Sequence, residues 1–328
     1  MIKRQTGVLA EKKPSALRQY YGILVVLAVM LIAGMILSFD TFMTWANMSN
    51  VLRQASTLGI VSVGMTFVIL SGGIDLSVGS NMVLCSVVAA QFLLQHGDGP
   101  MVFIALLIGT SFGLANGILI TKFNLPPFIL TLGMLSVGRG LALIYSDARI
   151  VSAYSDFTQT LGGGYVGGFL PIPVVLFIGV GVIGLILEKK TVFGRYTYAI
   201  GGNEEAARLS AVNTKKYKII IYTFAGLLCG LASIVMFSRM GSASAEIGSG
   251  GELDAIAAVV IGGTSMTGGI GSVGGSMVGI VILQLATNLL NMLGVPSYAQ
   301  QAFKGAIIII AIIIYTQQQQ MIEKRSRT

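Results

Sequence analysis

The amino-acid sequence predicts an all-α, polytopic integral membrane protein with about ten transmembrane helices, some of them short or broken. Hydrophobic residues make up 54% of the 328 positions, and only 10% are Asp, Glu, Lys or Arg. A soluble domain carries about 25% charged residues. The mean hydropathy of +0.82 agrees with this. A single soluble domain is excluded because so few charges could not keep its surface hydrated. A disordered chain is excluded as well, because disordered segments have low hydrophobicity.

The apolar segments supply the predicted spans. They fall at residues 20–39, 55–71, 76–95, 101–121, 127–146, 171–187, 217–238, 255–268, 272–293 and 299–316. Several are shorter than the ~20 residues that cross a bilayer, or contain glycine. These segments predict short or broken helices.

The placement of basic residues predicts the orientation. They cluster before the first apolar segment, between residues 188 and 218, and after the last segment. The positive-inside rule puts all three clusters in the cytoplasm. An even number of crossings is then required, and ten crossings satisfy it. We therefore expect a basic cytoplasmic N-terminus at 1–19, one membrane domain at 20–316 containing a cytoplasmic loop at 188–218, and a cytoplasmic tail at 317–328.

The sequence contains no motif that indicates an enzyme or a nucleotide-binding protein. His96 is the one histidine, and Cys85 and Cys229 lie inside apolar runs, where they read as buried hydrophobes. A formal GxGxxG at 269–274 has no soluble βαβ context, so its glycines are better explained by a bent or broken helix. No Gly-Lys pair of a P-loop occurs. We expect no catalytic residues, no metal site and no cofactor bound by this chain. The net charge of +8 comes from scattered residues, which do not indicate nucleic-acid binding.

The predicted cytoplasmic loop contains a short helix of two or three turns. Asn203 is a good N-cap, Glu204 and Glu205 suit the positive end of the helix dipole, and Arg208 is placed for an i,i+4 ion pair with Glu204. Two interpretations stay open at this stage. The helix is either a solvated connector or a docking element for a cytoplasmic partner.

A few charged residues fall within or between the spans, where charge is costly. Asp75, in the loop between the second and third spans, is either the N-cap of the third span or part of a transport pathway. Asp254 suits an N-cap of the eighth span, and Arg139 is placed to extend outward from the fifth. No chain of Asp, Glu or His crosses the membrane, which argues against a proton-coupled carrier.

Polar residues on the apolar helices are candidates to line a pathway, although hydrogen bonds between helices explain them equally well. They are Thr66, Ser77, Ser80, Asn81, Asn116, Asn288 and Asn291.

Glycines spaced by four predict close helix packing. Two such series occur, Gly109, Gly113 and Gly117 in the fourth span and Gly271, Gly275 and Gly279 in the ninth. A weak internal repeat is also visible, because Gly72-Gly73 before Ser80 echoes Gly262-Gly263 before Ser276. Broken helices at matching positions are common in transporters.

Three stretches together resemble the sugar-permease family of bacterial ATP-binding-cassette (ABC) importers, the ribose permease type. They are Gly72-Gly73-Ile74-Asp75-Leu76-Ser77-Val78-Gly79-Ser80, the loop 194–212, and Glu252-Leu253-Asp254-Ala255-Ile256-Ala257-Ala258-Val259-Val260-Ile261-Gly262-Gly263-Thr264-Ser265. The resemblance extends over about residues 20–316.

The resemblance implies a permease subunit in the bacterial plasma membrane that moves a monosaccharide into the cytoplasm. Ribose or another pentose is the leading candidate for this sugar. The resemblance also implies three partners: a second permease copy, identical or not, an extracytoplasmic sugar-binding protein, and an ATPase subunit with two nucleotide-binding cassettes that carries ATP and Mg. In the family, the short helix after the Gly-Gly-Asn-Glu motif couples the permease to its ATPase. This role would fall on Gly201, Gly202, Asn203, Glu204, Glu205, Ala206, Ala207 and Arg208.

Three other classes compete with this hypothesis. An ion-coupled carrier would work without an ATPase, and a passive channel would conduct a small polar solute without ATP. A membrane-embedded enzyme would need a nucleophile, base or metal cluster, and the sequence offers none.

Overall fold

The computed structural model describes residues 16–248, 250–303, 305 and 306. The described chain is mostly helical, with four two-residue strands. The helices are α1 (Ala16–Phe42), α2 (Trp45–Leu70), α3 (Val78–His96), α4 (Asp98–Lys122), α5 (Pro127–Ser146), α6 (Asp156–Gly163), α7 (Ile172–Lys190), α8 (Val192–Gly202), α9 (Glu204–Leu209), α10 (Thr214–Met240), α11 (Gly251–Ile261) and α12 (Val273–Met292). The described residues from 297 onward are helical as well. The strands β1 (Val151–Ser152) and β4 (Ser242–Ala243) pair antiparallel, as do β2 (Tyr165–Val166) and β3 (Leu170–Pro171).

Eight of the described helices are long and apolar enough to cross a membrane, namely α1 to α5, α7, α10 and α12. They coincide with eight of the ten predicted segments, and the all-α polytopic class is confirmed. The tenth segment, 299–316, lies mostly outside the described residues, as do residues 1–15 and the tail 317–328. The cytoplasmic placement of both termini therefore stays a prediction.

The eighth apolar segment, 255–268, does not form a full span. Its helix, α11, contains 11 residues and is about 16 Å long, while the hydrocarbon core is about 30 Å thick. Apolar residues continue beyond Ile261, but the helix stops at Gly262, and Gly263 has a φ of +83°. Glycine alone adopts this conformation readily. The segment predicted from hydropathy is therefore too long, because its apolar residues continue past the point where the backbone turns.

Two non-helical stretches lie inside the bundle, at 71–77 before α3 and at 241–248 and 250 before α11. They bring the starts of α3 and α11 together, because a Cβ added to Gly79 would lie 3.2 Å from the Glu252 nitrogen. A Cβ on Gly251 would contact Leu58, near the middle of α2, at 3.4 Å. Such breaks are tolerated at membrane depth only where protein surrounds them or they line a cavity. The first stretch meets this condition through Ser71, Asp75 and Ser77, all buried.

Helix α2 lies at the centre of the structure. It contacts α10, α12, α7 and α11, and its side chains are almost continuously buried from Ala55 to Leu70. The largest group of buried apolar side chains surrounds it and joins these helices to α3. A second group fills the space between α3, α4 and the end of α10. The central position of α2 places its C-terminal end, and the Asp75 loop that follows, inside protein.

The glycines of α4 form a contact with α10 in which backbone meets backbone. A Cβ on Gly109 would lie 2.7 Å from the Gly230 nitrogen, and one on Gly113 would lie 2.9 Å from the Gly226 Cα. A Cβ on Gly117 would lie 2.8 Å from the Ile219 Cα. We call this contact the α4–α10 seam. Small residues at such positions let two helices approach closely.

The second glycine series does not lie on one helix. Gly275 and Gly279 are in α12, where Gly279 faces the Gly262 nitrogen of the α11 end, but Gly271 precedes the N-cap Ser272 and belongs to the loop. The expectation of one groove along 271–279 is therefore wrong at its first member. A spacing of four has a structural meaning only where the backbone is already helical.

We expect Gly113→Ala to destabilise the protein by about 1–3 kcal/mol, because the added methyl group overpacks the α4–α10 seam. Gly133→Ala is the matched control, since nothing lies within 4 Å of a Cβ at that position of α5. Thermal unfolding of both variants in one detergent provides the comparison. Equal stability of the two variants would show that the seam is looser than described.

Candidate functional site

The Asp75 carboxylate is the centre of a buried polar cluster. Its Oδ1 accepts hydrogen bonds from the Ser77 amide at 2.8 Å and the Ser77 hydroxyl at 2.6 Å. Asn116 of α4 donates through Nδ2 to Ser77 Oγ at 2.8 Å and approaches Asp75 Oδ2 at 3.4 Å. All three residues are at most 3% exposed. Their position is set by the break between α2 and α3, which turns the chain inward at Asp75.

Two further side chains complete the cluster, and sequence reasoning missed both. Tyr222 of α10 points its hydroxyl at the Asp75 loop, where a Cβ on Gly73 would collide with it. Thr131 of α5 accepts from the Leu76 amide at 3.1 Å and donates to the Ile74 carbonyl at 3.2 Å. Neither residue carries a local signal, since each is a polar side chain within an apolar helix.

The cluster contains polar atoms that the protein does not satisfy. Asn116 Oδ1 and Tyr222 Oη are buried and have no hydrogen-bond partner among the described residues. Buried polar groups are almost always paired, because each unpaired group costs roughly 1–3 kcal/mol. The cluster therefore has spare capacity to bind hydroxyl groups or water.

The two predicted carboxylate caps are wrong. Helix α3 has Ser77 at its N-cap with no side-chain cap bond, and the backbone amide bonded by Asp75 belongs to Ser77, ahead of the helix. Helix α11 begins after Gly250, so Asp254 lies in its first turn. There it still suits the positive end of the helix dipole.

The remaining pathway candidates are dispersed among separate contacts. Thr66 donates to Ser276 of α12 at 2.8 Å, Ser80 donates to the Ser77 carbonyl at 3.0 Å, and Asn81 donates to the Gly109 carbonyl at 3.3 Å. The pairing of Thr66 with Ser276 links α2 to α12.

Two candidates lie on α12. Asn288 exchanges hydrogen bonds with Asn47 of α2 at 2.7 and 3.1 Å. Asn291 accepts from Gln300 at 2.7 Å. Only Asp75, Ser77 and Asn116, of the eight candidates, share one cluster.

Three carboxylates are buried where the sequence suggested that titratable groups were missing. Asp75, Glu188 and Glu252 are 3%, 6% and 8% exposed. Arg139 does not extend freely to the surface, because its Nε is buried. The argument against an ion-coupled carrier is therefore weaker than the sequence indicated.

The predicted surface helix exists, and its N-cap is confirmed. Asn203 accepts from the Ala206 amide at 2.9 Å, and α9 follows for six residues, shorter than expected. The expected Glu204–Arg208 pair is wrong. Arg208 binds both carboxylate oxygens of Glu205, at 3.1 and 2.5 Å, while Lys218 of α10 pairs with Glu204.

The exposed pair on α9 stays charged. The hydrogen bond from Arg208 lowers the pKa of Glu205 below its ordinary value, so this carboxylate is ionised at neutral pH. Glu205 and Arg208 side chains are 63% and 65% exposed. Together they present one negative and one positive group at the surface of the bundle.

A second polar contact joins α7, α8 and α12. Glu188 accepts a hydrogen bond at 2.8 Å from the Val273 amide, which has no partner within α12 because it lies at the start of that helix. The Tyr198 hydroxyl lies 3.1 Å from the other Glu188 oxygen and 2.6 Å from the Gly271 carbonyl oxygen. Its partners are distant in sequence, so no local pattern predicted it.

Comparison with known proteins identifies the class of the chain. A family model described as the permease component of branched-chain amino acid transport systems matches residues 47–312. The chain belongs to this permease family. With its eight candidate spans, the permease is a multi-pass protein of the bacterial inner membrane.

Several curated relatives of the permease are sugar permeases by name. The ribose import permease protein RbsC of Bacillus subtilis is 43% identical over 84% of this chain and 86% of its own length. RbsC of Escherichia coli K12 is 40% identical over 85% and 88%. The xylose transport system permease protein XylH of Haemophilus influenzae is 33% identical over 91% and 96%. No solved structure gives a significant match to this chain.

We expect Asp75→Asn to leave the free energy of unfolding of the permease within about 1 kcal/mol of that of the unmodified protein. Asp75→Leu should lower this free energy by at least about 1–3 kcal/mol. An amide at this position still accepts from Ser77, and its NH₂ group finds a partner in the free Asn116 Oδ1. Leucine leaves the Ser77 and Asn116 donors unsatisfied. Thermal unfolding in detergent measures both, and an equally stable Leu variant would contradict the described hydrogen bonds.

Proposed function

We propose that this chain is the translocation subunit of an ABC importer that moves a monosaccharide, with ribose first among the candidates, into the cytoplasm. The observation that carries the proposal is the 43% identity to a ribose import permease over 84% of the chain. Its three motifs support it. The chain itself is not an enzyme in this proposal.

The energy comes from a partner in this proposal. An ATPase subunit with two nucleotide-binding cassettes holds ATP and Mg, and this chain binds no cofactor. A sugar-binding protein delivers the substrate to the outer face, and a second permease copy, identical or different, completes the pore. Closure of the cassettes moves the permease only if they bind its inward-facing and outward-facing states with different affinity.

The docking segment for the ATPase is residues 201–208 in this proposal, and the exposed side chains of α9 form its docking surface. The exposed Glu205 and Arg208 suit a polar partner surface, and Asn203 fixes the start of α9. Because Glu204 is held by Lys218 of α10, force on α9 reaches a long helix directly.

The Asp75 cluster belongs to the translocation pathway in this proposal. A neutral sugar offers hydroxyl groups that donate to carboxylate and amide oxygens and accept from a phenol. Asp75 Oδ2, Asn116 Oδ1 and Tyr222 Oη provide these groups on three different elements. Residues Thr66, Ser80, Asn81, Asn288 and Asn291 are proposed as further lining.

A second candidate is an ion-coupled carrier, and the buried Asp75 favours it. Its carboxylate accepts hydrogen bonds from Ser77 and Asn116, and neither of these side chains is basic. Buried ionisable groups in membrane proteins often mark ion pathways. A passive channel for a small polar solute is the third alternative.

The deciding experiment is a mild-detergent pull-down of the tagged chain from its native membrane, followed by mass spectrometry. A retained ATPase with two cassettes supports the importer. Its absence, under conditions that keep a known transporter complex intact, supports the carrier or channel instead.

We expect Glu205→Arg to release the ATPase and abolish ribose uptake at a normal membrane level, because it reverses a charge on the docking surface. Arg149→Glu is the matched control, an exposed charge reversal in the connection between α5 and α6. Pull-down and uptake of radiolabelled ribose measure both effects. Normal uptake by the Glu205 variant would exclude α9 as the docking element.

We expect Asp75→Asn to reduce ribose uptake by at least about tenfold although the protein stays folded, because the carboxylate is a stronger acceptor for hydroxyl groups than an amide. Uptake is measured at matched membrane levels. Unchanged uptake would place the cluster outside the pathway and leave it a structural role only.

A further inference from the structure

The end of α8 is packed against two breaks in the membrane helices. A Cβ on Gly201 would collide with the Leu70 carbonyl oxygen at the end of α2 and lie 2.6 Å from the Gly269 nitrogen. A Cβ on Gly268 would lie 2.9 Å from both the Gly201 Cα and the Gly72 nitrogen. Three chain segments thus meet through backbone atoms alone.

The contact is held by a hydrogen bond and extended by a second glycine pair. The Gly269 amide donates to the Leu70 carbonyl at 2.9 Å. A Cβ on Gly269 would lie 2.9 Å from the Gly202 Cα. We call this set the five-glycine contact, formed by Gly72, Gly201, Gly202, Gly268 and Gly269.

The same helix makes a second connection one turn earlier. Tyr198 of α8 bonds the Gly271 carbonyl, at the end of the loop after α11. Through Glu188 it is also linked to the first amide of α12. Helix α8 is therefore joined to the loop 262–272 at two points in its C-terminal half.

We propose that Gly201 and Tyr198 are positioning residues that transmit movement of α9 to the Asp75 loop and to the start of α12. This inference rests on the proposed function, which makes α9 the element moved by the ATPase. Helix α9 follows α8 directly, and Gly72 stands three residues before Asp75. Packed side chains can absorb a small displacement by changing rotamer, but backbone in direct contact cannot. A shift of α8 therefore displaces both loops.

The sequence provides a matched pair for the test. Gly201→Ala forces the contact apart, whereas a Cβ at Gly133 of α5, a glycine outside this contact, meets nothing within 4 Å. Tyr198→Phe removes only the hydroxyl, and it decides the question if Gly201→Ala fails to reach the membrane. Tyr196→Phe is its control, because the Tyr196 ring packs against Tyr217 and keeps that contact.

Each full-length variant is expressed with its ATPase and binding protein. Retained ATPase, ATP hydrolysis and uptake of radiolabelled ribose are then measured together. We expect Gly201→Ala to retain the ATPase but to hydrolyse about tenfold more ATP per ribose imported, and Tyr198→Phe about fivefold more. Gly133→Ala and Tyr196→Phe keep the unmodified ratio.

Two results would overturn the inference while the proposed function survives. One is an unmodified ratio of ATP hydrolysed to ribose imported in both Gly201→Ala and Tyr198→Phe. The other is loss of the ATPase from these variants, which would make the two residues part of docking. If the unmodified chain itself retains no ATPase, the proposed function fails and the inference fails with it.

Discussion

The hydrogen bond from the Gly269 amide to the Leu70 carbonyl secures the region where the membrane helices stop being continuous. The last carbonyls of a helix have no intrahelical partner, and within a bilayer no water replaces one. Helix α2 ends inside the protein, so another segment must supply the donor. The loop 262–272 does so, and this fixes where α12 begins, where α8 packs and how the chain enters the Asp75 loop.

The features that sequence predicted are those set by neighbouring residues. Eight spans follow from runs of apolar side chains, and the Asn203 cap follows from a side chain three residues from the amide it binds. The close packing of α4 follows from a glycine spacing that has meaning once the helix exists. The Asp75 motif was also recognisable as a candidate site, because a carboxylate between two apolar spans is costly.

What sequence could not predict depends on contacts between distant segments. Asn116 is 41 positions from Asp75. Tyr222 and Thr131 lie on two further helices, α10 and α5. Glu204 pairs with Lys218, 14 positions away, which leaves Arg208 for Glu205. Helix α11 was mistaken for a full span because hydropathy measures apolarity and not the φ of Gly263. For Asp75 and Glu204 a residue distant in sequence decided the pairing, and for α11 a single backbone conformation decided the length.

The α4–α10 seam restricts which parts of this molecule can move. Where side chains interdigitate, two helices can slide by changing rotamers, as in shear motions of packed helices. Gly109, Gly113, Gly226 and Gly230 offer no side chain to rearrange. Helices α4 and α10 therefore behave as a single rigid body that carries Asn116 and Tyr222 together. Any opening and closing of this protein must take place where this body meets its neighbours, above all α2 and α3.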